Sequence, residues 1–181
     1  ILVNNASAIS LTPTEQTETK RFDLMHDINV RGTFFVSKAC IPHLKKSENP
    51  HILTLSPPIN LDMKWFANHI AYTLSKYNMT MIALGLAAEL KKYNIAANAL
   101  WPRTTIATAA VQNLLGGDAL MNMSRKPEIV ADAAYYIFSR EAASCSGHAF
   151  LDEEVLAAEG ITDLSSYAVV PGGPLFDDLF I

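Results

Sequence analysis

Residues 65–92 read WFANHIAYTLSKYNMTMIALGLAAELKK, and this stretch predicts one long helix. It is rich in alanine, leucine and methionine, has no proline, and contains a single glycine, Gly85. Residues four apart lie on one face of a helix, so the phenol of Tyr72 and the ammonium of Lys76 would point the same way. A cation beside a phenol lowers the pKa of the phenol from about 10, which suits a proton donor to a developing alkoxide. Tyrosine and lysine at this spacing also occur on ordinary surface helices, so both interpretations stay open at this point.

The composition narrows the class of protein. The 181 residues suffice for one domain with a core, and 50% hydrophobic with 18% charged residues are typical of a globular α/β domain. A net charge of −4 without a basic patch argues against nucleic acid as a partner, and no apolar run approaches the roughly 20 residues of a membrane span. Cys40 and Cys145 show no metal-ligand spacing, so we expect no metal site. They favour a reducing compartment: the cytoplasm or, in a eukaryote, an organellar matrix such as that of the peroxisome or mitochondrion.

The chain opens with the apolar run ILV, followed by Asn4 and Asn5. This pattern predicts a buried parallel strand, and Asn4, Asn5 and Ala6 would form the loop at its carboxyl end, where open parallel sheets bind ligands. A plain turn explains the two asparagines equally well. The sequence has no initial methionine, and a first strand of this kind would leave a hydrophobic sheet edge exposed, so we expect a fragment whose upstream part is missing.

A second helix is predicted from a capping box at Thr12–Glu15, with Thr17 as an alternative cap, to about Lys46. Asn29 falls on the apolar stripe of this helix and would be buried, where its amide must find hydrogen-bond partners. The amide could hold a backbone group, as most buried asparagines do, or a water molecule. The other stripe positions recur at the helical period and are Phe22, Met25, Gly32, Val36 and Ala39.

Further strands are predicted at residues 51–56, 94–101 and 147–151, and a further helix at 127–139. Strands that alternate with helices imply right-handed crossovers and a parallel sheet. The predicted fold class is therefore α/β, a Rossmann-type doubly wound sheet with helices on both faces. Ser56 ends its strand either as a simple terminus or as a site residue.

The last third of the sequence is less regular. Residues 104–123 are rich in threonine and small residues, which fits a lid over a pocket or a surface loop with one short helix. A short acidic helix and an extended tail follow from Asp152 onward. Three apolar residues would dock this tail on the domain or on a neighbouring subunit: Phe176, Leu179 and Phe180.

Several motifs occur in one order along the chain: Asn4-Asn5-Ala6, Asn29-Val-Arg-Gly32, Ser56, Tyr72-x-x-x-Lys76 and Asn98-Ala-Leu-Trp-Pro102. Together they resemble the short-chain dehydrogenase/reductase family, whereas the tyrosine–lysine spacing alone would be weak evidence. The resemblance implies a partial NAD(P)-binding Rossmann domain with the catalytic helix at residues 1–152, and a C-terminal extension of the same domain at 153–181. Within the family, Ser56–Leu61, the Asn98 motif and Asp152-Glu153 are similar to the hydroxysteroid dehydrogenase-like group.

The resemblance implies an oxidoreductase that moves hydride between NADP or NAD and an alcohol or ketone, with lipid-like compounds as one option. Tyr72 would be the acid or base at the substrate oxygen, and Lys76 would lower the pKa of Tyr72 and hold the nicotinamide ribose. Asn29 would keep a water in the proton relay, and Ser56 would stand at the substrate carbonyl. The remaining expected cofactor contacts are Asn4, Asn5, Ala6, Pro102 and Thr108. The resemblance also implies a homo-oligomer, a dimer or tetramer, with small residues at its helical interface: Ala83, Ala87 and Ala88.

Three departures from the family pattern keep other functions in view. The glycine-rich turn that would seat the cofactor pyrophosphate is absent. The usual pair of serines is replaced by Ser56-Pro57, 16 residues before Tyr72, which puts the role of Ser56 in doubt. Arg103 stands where the family usually has glycine. These changes leave room for a catalytically weak or inactive binding or scaffold protein, or for a dehydratase or epimerase that uses the cofactor transiently.

Overall fold

The structure is a computed structural model and describes residues 1–181. Its strands are β1 (Leu2–Asn4), β2 (His51–Leu55), β3 (Ala96–Trp101) and β4 (Ala149–Leu151). Its α-helices are α1 (Thr19–Met25), α2 (Thr33–Leu44), α3 (Ile70–Leu90), α4 (Gly117–Asn122), α5 (Glu128–Ser139) and α6 (Asp152–Ala158). Short 3₁₀ turns lie at Thr14–Gln16, Met63–Trp65, Lys91–Tyr93 and Ser165–Tyr167, and π-helical segments at His26–Gly32 and Val111–Leu115.

The four strands form one sheet in the order β1-β2-β3-β4. β1 and β2 pair in parallel with Leu2 opposite Ile52, and β2 and β3 pair in parallel with His51 opposite Ala96. All of β3 and nearly all of β2 are buried, as expected for a parallel sheet covered on both faces. The predicted α/β class and the parallel sheet are confirmed.

One apolar core lies between the sheet and the helices α2 and α3. Branched residues of β2 and of the turn before β3 meet leucines of both helices there. The buried members of this core are Leu44, Ile52, Leu86, Ala87, Leu90, Ile95 and Ala97. Burying this apolar surface is the main favourable term for the fold, and it fixes α3 against β2. The placement of Tyr72 and Lys76 depends on this packing because both residues are on α3.

The predicted start of the second helix is wrong. The hydroxyl of Thr12 bonds with that of Thr17 at 2.9 Å instead of capping a helix, and the α-helix begins at Thr19 without a side-chain cap. From there, α1, the π-helical segment and α2 form one continuous helical run that ends at Leu44.

The predicted apolar stripe of this helical run is also partly wrong, because Phe22 and Val36 are 38% and 49% exposed. Ala39 is exposed as well. The buried positions recur at steps of four and are Met25, Asn29, Thr33 and Ser37. A π-helical turn has i→i+5 hydrogen bonds and is wider than an α-helical turn, so the spacing of the inward-facing residues lengthens. The burial of Met25 and Asn29 is as predicted.

The long central helix starts later than predicted. Residues 65–69 form turns, with Asn68 at a φ of 65°, and α3 begins at Ile70. The hydroxyl of Thr73 donates to the carbonyl of Trp65 at 2.5 Å, which ties this turn to the first turn of the helix. At the other end, Asn94 adopts a left-handed conformation that stops the helical run before β3.

The chain divides into two compact units. The first comprises Ile1–Leu100, Arg140–Ala149 and Phe180, and the second comprises Trp101–Ser139, Phe150–Leu179 and Ile181. In the second unit, α5 packs against α6. The extended tail is held there by backbone hydrogen bonds, from Thr105 to the carbonyl of Phe176 and from Asp178 to that of Arg103. None of the helices combines the length and the apolar character needed to cross a membrane.

Candidate active site

Tyr72 and Lys76 lie on the first two turns of α3 and are almost completely buried, at 4% and 3% exposure. The ammonium of Lys76 donates to the carbonyl oxygen of Leu55 at 2.8 Å and to the hydroxyl of Ser7 at 3.3 Å. Leu55 ends β2 and Ser7 lies in the loop after β1, so α3 delivers the cation to the carboxyl end of the sheet. The two residues therefore lie four apart on a real helix, and the ammonium of Lys76 lies at the edge where parallel sheets bind ligands.

Asn29 is fully buried within the π-helical segment. Its Oδ1 accepts from the backbone N–H of Ala8 at 2.7 Å, and its Nδ2 donates to the carbonyl of Ala8 at 2.9 Å and to the hydroxyl of Ser75 at 2.9 Å. The side chain thus pairs with a loop residue as a backbone strand would. We considered that the amide of Asn29 binds either a backbone group or a water molecule. The contacts with Ala8 are with backbone groups, and binding of a water molecule stays a prediction. Such π turns recur at functional sites.

Asn4 braces three elements at the end of β1. Its Nδ2 donates to the hydroxyl of Ser37 on α2 at 3.0 Å and to that of Thr54 on β2 at 3.4 Å. Asn5 and Ala6, which follow it, are exposed at the carboxyl end of the strand. The side-chain contacts of Asn4 therefore hold neighbouring elements together, whereas Asn5 and Ala6 are accessible to a ligand.

Ser56 is fully buried, and its hydroxyl is hydrogen-bonded to that of Thr80 at 2.8 Å. Thr80 lies eight residues beyond Tyr72 on α3, or about 12 Å along the helix axis at 1.5 Å per residue. The hydroxyl of Thr80 also donates to the carbonyl of Pro57 at 2.6 Å, which fixes this arrangement. The Ser56 hydroxyl is thus bonded to the middle of α3, and its predicted role at the substrate carbonyl stays a prediction.

Aromatic rings cluster at the start of α3, and one of them, Phe180, contacts Tyr72. His69, one turn before Tyr72, bonds through Nδ1 with the hydroxyl of Thr73 at 3.0 Å, and burial lowers the pKa of His69 below its usual 6.5. The imidazole is therefore neutral at pH 7. Tyr77 donates its hydroxyl to the carbonyl of Asn60 at 2.6 Å, which ties the loop after β2 to α3. Sequence reasoning assigned no role to Tyr77 or Asn60, because no local pattern links them.

The other predicted cofactor residues, Pro102 and Thr108, belong to the second unit. Pro102 is buried directly after β3, and Thr108 is exposed, with its hydroxyl accepting from the backbone N–H of Val111 at 3.4 Å. Their contact with a cofactor stays a prediction. Arg103 has an exposed side chain, so its cation turns outward from the position where the family usually has glycine.

A second group of buried charges lies in the second unit. The Oδ1 of Asp152 accepts from the backbone N–H groups of Arg103 at 2.9 Å and Glu153 at 2.8 Å, while its buried Oδ2 has no hydrogen-bond partner. Burial raises the pKa of Asp152 from 3.8 to about 6. Arg125 forms a salt bridge with Glu153, which neutralises charge close to this carboxyl.

The parallel sheet, the buried tyrosine–lysine helix and the asparagine-bearing loops together define a short-chain dehydrogenase/reductase. The chain belongs to this family: residues 1–152 match the family model described as enoyl-(acyl carrier protein) reductase. Over all 181 residues the chain is 56% identical to hydroxysteroid dehydrogenase-like protein 2 of Danio rerio, and it spans 43% of the length of that relative.

Solved structures agree with this assignment. A short-chain dehydrogenase from Mycobacterium thermoresistibile is 56% identical and superposes with a TM-score of 0.91, over 99% of this chain and 63% of that one. The fold is also shared with a 4-hydroxyisoleucine dehydrogenase complexed with NADH, at 21% identity and a TM-score of 0.65, over 83% of this chain and 65% of that one. The predicted family resemblance is thereby confirmed.

Proposed function

We propose that the protein is an NAD(P)-dependent oxidoreductase that interconverts an alcohol and a ketone, with Tyr72 as the acid or base at the substrate oxygen. The observation that carries this proposal is the buried ammonium of Lys76 at the carboxyl end of the sheet, one turn from Tyr72. Burying an ammonium is costly, so its retention four residues from a buried tyrosine on the same helix supports a chemical role. The NADH bound by the distant relative supports the class of cofactor.

The residues present fit a nicotinamide cofactor at one end. Lys76 binds the carbonyl of Leu55 through a short hydrogen bond, but its bond to the exposed hydroxyl of Ser7 is 3.3 Å long. A ribose hydroxyl could take the place of Ser7 without disturbing the stronger bond. Asn5 and Ala6 present an accessible loop beside Ser7. When bound, the nicotinamide supplies or accepts the hydride.

The chain's own residues then manage the proton. In the reducing direction, the hydroxyl of Tyr72 donates its proton to the carbonyl oxygen as negative charge develops there. The ammonium of Lys76 stabilises the phenolate that remains, because opposite charges attract strongly where water is excluded. Asn29 and Ser75 hold the first turns of α3 against the loop after β1, and so keep this pair in place. In the oxidising direction the phenolate accepts the proton of the alcohol.

The test is ketone reduction by the purified protein with NADPH and with NADH, using wild type, Tyr72→Phe and Lys76→Ala. We expect Tyr72→Phe to lower kcat by about 100-fold or more. Tyr93→Phe is the matched control, since Tyr93 also has a lysine neighbour, Lys45, 3.6 Å from its ring centroid, but lies on the surface. Tyr72→Phe with wild-type turnover would contradict the mechanism.

A scaffold protein without turnover is the second candidate. It is favoured by the contact of Ser56, whose hydroxyl is bonded to Thr80. In that case NADPH or NADH would bind, as followed by quenching of Trp65 fluorescence, but no ketone would be reduced. Lys76→Ala would then abolish binding without any activity to lose.

We also propose that the protein forms a homo-oligomer through one face of α2 and α3. Ala83 and Ala87 are buried in the core and do not line this face, contrary to the prediction, whereas Ala88 is exposed. A groove of about 720 Å³ lies there instead, lined by exposed apolar residues that include Phe34, Phe35 and Met81. Exposed apolar area of this kind marks an interface. Met81→Asp should convert the oligomer to monomer in sedimentation, whereas a wild-type monomer would refute the proposal.

The substrate class and compartment are proposals of the same standing. An alcohol or ketone with an apolar body suits the aromatic surroundings of Tyr72, and lipid-like compounds are one option. Cys40 and Cys145 are both free thiols, which supports the cytoplasm or an organellar matrix as the compartment.

A further inference from the structure

Phe180 is buried among the aromatic side chains at the start of α3, and it is only 1% exposed. Its ring centroid lies 5.2 Å from that of Tyr77, 5.5 Å from Trp65, 6.1 Å from Tyr72 and 6.3 Å from His69. One side chain, far away in the sequence, therefore contacts every ring of this group. Because Tyr72 is itself almost fully buried, the ring of Phe180 is part of what covers the proposed proton donor.

The backbone at Phe180 is held in a conformation that non-glycine residues rarely adopt, with a φ of 76°. Such a conformation persists only where the surroundings enforce it. Asn60 contributes by donating its Nδ2 to the carbonyl of Phe180 at 3.4 Å, and the same residue accepts a hydrogen bond from Tyr77. The strain indicates that the chain bends in order to place this ring, since an unconstrained backbone would take another path.

The aromatic group also contains a polar atom without a partner. The indole Nε1 of Trp65 is buried and makes no hydrogen bond. A buried donor usually finds an acceptor, because leaving it unsatisfied costs free energy. Trp65 and Tyr72 both contact Phe180, so the unused donor belongs to the same ring cluster as Tyr72. An apolar wall with one unused donor is the composition expected of a small-molecule pocket.

We propose that Phe180 is a specificity-determining residue that closes the apolar side of the substrate site and limits the size of the group next to the reacting carbonyl. This inference rests on the proposed function of Tyr72. Trp65 donates to a polar atom of the substrate, and Phe180 occupies the space into which a larger substituent would extend. The substrate class is a ketone or secondary alcohol with a small substituent on this side.

The test compares wild type, Phe180→Ala and Phe180→Leu on 2-butanone and on acetophenone. Removing the ring should raise kcat/KM for acetophenone relative to 2-butanone by about tenfold or more, with Phe180→Leu in between. Phe176→Ala is the matched control: this phenylalanine of the same tail is 51% exposed, and it should leave the ratio unchanged. A ratio that Phe180→Ala and Phe180→Leu leave within twofold of wild type would overturn the inference.

A second measurement does not depend on turnover. Phe180→Ala should bind toluene, because an apolar cavity of ring size takes up such molecules, and Trp65 fluorescence should report the binding. Wild type and Phe176→Ala should not bind it. If Phe180→Ala does not fold, Phe180→Leu with the smaller ligand isobutane replaces it, and absence of binding there overturns the inference. If Tyr72→Phe reduces ketones as fast as wild type, the proposed function is overturned, but the toluene result is unaffected. The two failures are therefore distinguishable.

Discussion

Replacing Asp152 with asparagine should stabilise the protein at neutral pH, although it removes a charge from the start of a helix. The side chain is fully buried, and its Oδ1 accepts two backbone hydrogen bonds, from Arg103 and Glu153. An asparagine Oδ1 can accept both. The Oδ2 has no hydrogen-bond partner, so the substitution to an amide at that position breaks no bond.

The magnitude follows from the pKa of Asp152, which burial raises from 3.8 to about 6. Each pKa unit corresponds to about 1.4 kcal/mol, so ionising this carboxyl costs about 3 kcal/mol more in the folded protein than in the unfolded chain. The folded state holds its proton up to a higher pH than the unfolded state. Stability is therefore lost as pH rises from about 4 to about 6, and the full cost applies above that range.

Equilibrium urea unfolding at a series of pH values from 4 to 8 measures this effect. Asp152→Asn should equal wild type near pH 4 and exceed its free energy of unfolding by about 3 kcal/mol at pH 8. Glu154→Gln is the matched control. Glu154 lies exposed in the first turn of the same helix, and its substitution also removes a negative charge there. Its difference from wild type should stay small, since it reports only the interaction with the helix dipole.

Other titrating groups do not mimic the expected profile. Burial lowers the pKa of His51 below 6.5, so the unfolded chain takes up a proton there as pH falls and stability is lost toward acid pH. This sign is opposite to that of Asp152, and the contribution cancels in the difference between variant and wild type. The reasoning is refuted if the difference in free energy of unfolding between Asp152→Asn and wild type is the same at pH 8 as at pH 4. Such a result would mean that Arg125 and the two backbone N–H donors already compensate the buried charge.

Two further substitutions test how the sheet is held, both by urea unfolding. Gly147→Ala should lower the free energy of unfolding by about 1–2 kcal/mol, because Gly147 has a φ of 86°. The cause would be backbone strain and not a clash, since the added Cβ would lie 3.7 Å from that of Ala87. An unchanged stability would contradict this. Asn98→Leu should lower the free energy of unfolding by about 2–4 kcal/mol. The buried amide donates to the carbonyl of Cys145 at 2.8 Å and accepts from the N–H of His148 at 3.0 Å, so these two backbone groups would lose a partner. Asn78→Leu is its control: Asn78 is half-buried on α3 and its amide donates only to the carbonyl of Leu74, one turn earlier, so the change should alter stability little.

The order of strands and helices could be predicted from the sequence because it depends on local periodicity. The apolar runs that became β2 and β3 are continuous and bounded by turns, and α3 is a long segment without proline. Element ends were less accurate, because they depend on particular contacts. α3 starts at Ile70 and not at Trp65, since the bond from Thr73 to Trp65 folds the intervening residues into turns.

The sequence predicted the placement of residues that share one helix, but not contacts that depend on several elements, and the roles of the site residues stay predictions. Tyr72 and Lys76 needed only α3 to lie together, so the four-residue spacing sufficed. The hydroxyl of Ser56 could not be placed, because its partner Thr80 is on another element. Phe180 could be named as an apolar anchor of the tail, but nothing local indicates that its ring would lie against Tyr72. Contacts between residues far apart in sequence are fixed by tertiary packing, which a single sequence does not show.

Some buried polar groups in this protein have hydrogen-bond partners and others have none. The sign of the change in free energy of unfolding on substitution separates the two kinds. The amides of Asn29 and Asn98 are bonded on both sides, so replacing them should always cost stability. The Nε1 of Trp65 and the Oδ2 of Asp152 are buried without a partner, so the fold gains nothing from them. Replacing such groups should cost little or should stabilise, and any loss of activity would then come from the site. Within the first unit, this comparison tests whether Trp65 faces a ligand as proposed, with the fully bonded Asn29 as the reference, whereas burial alone cannot decide this.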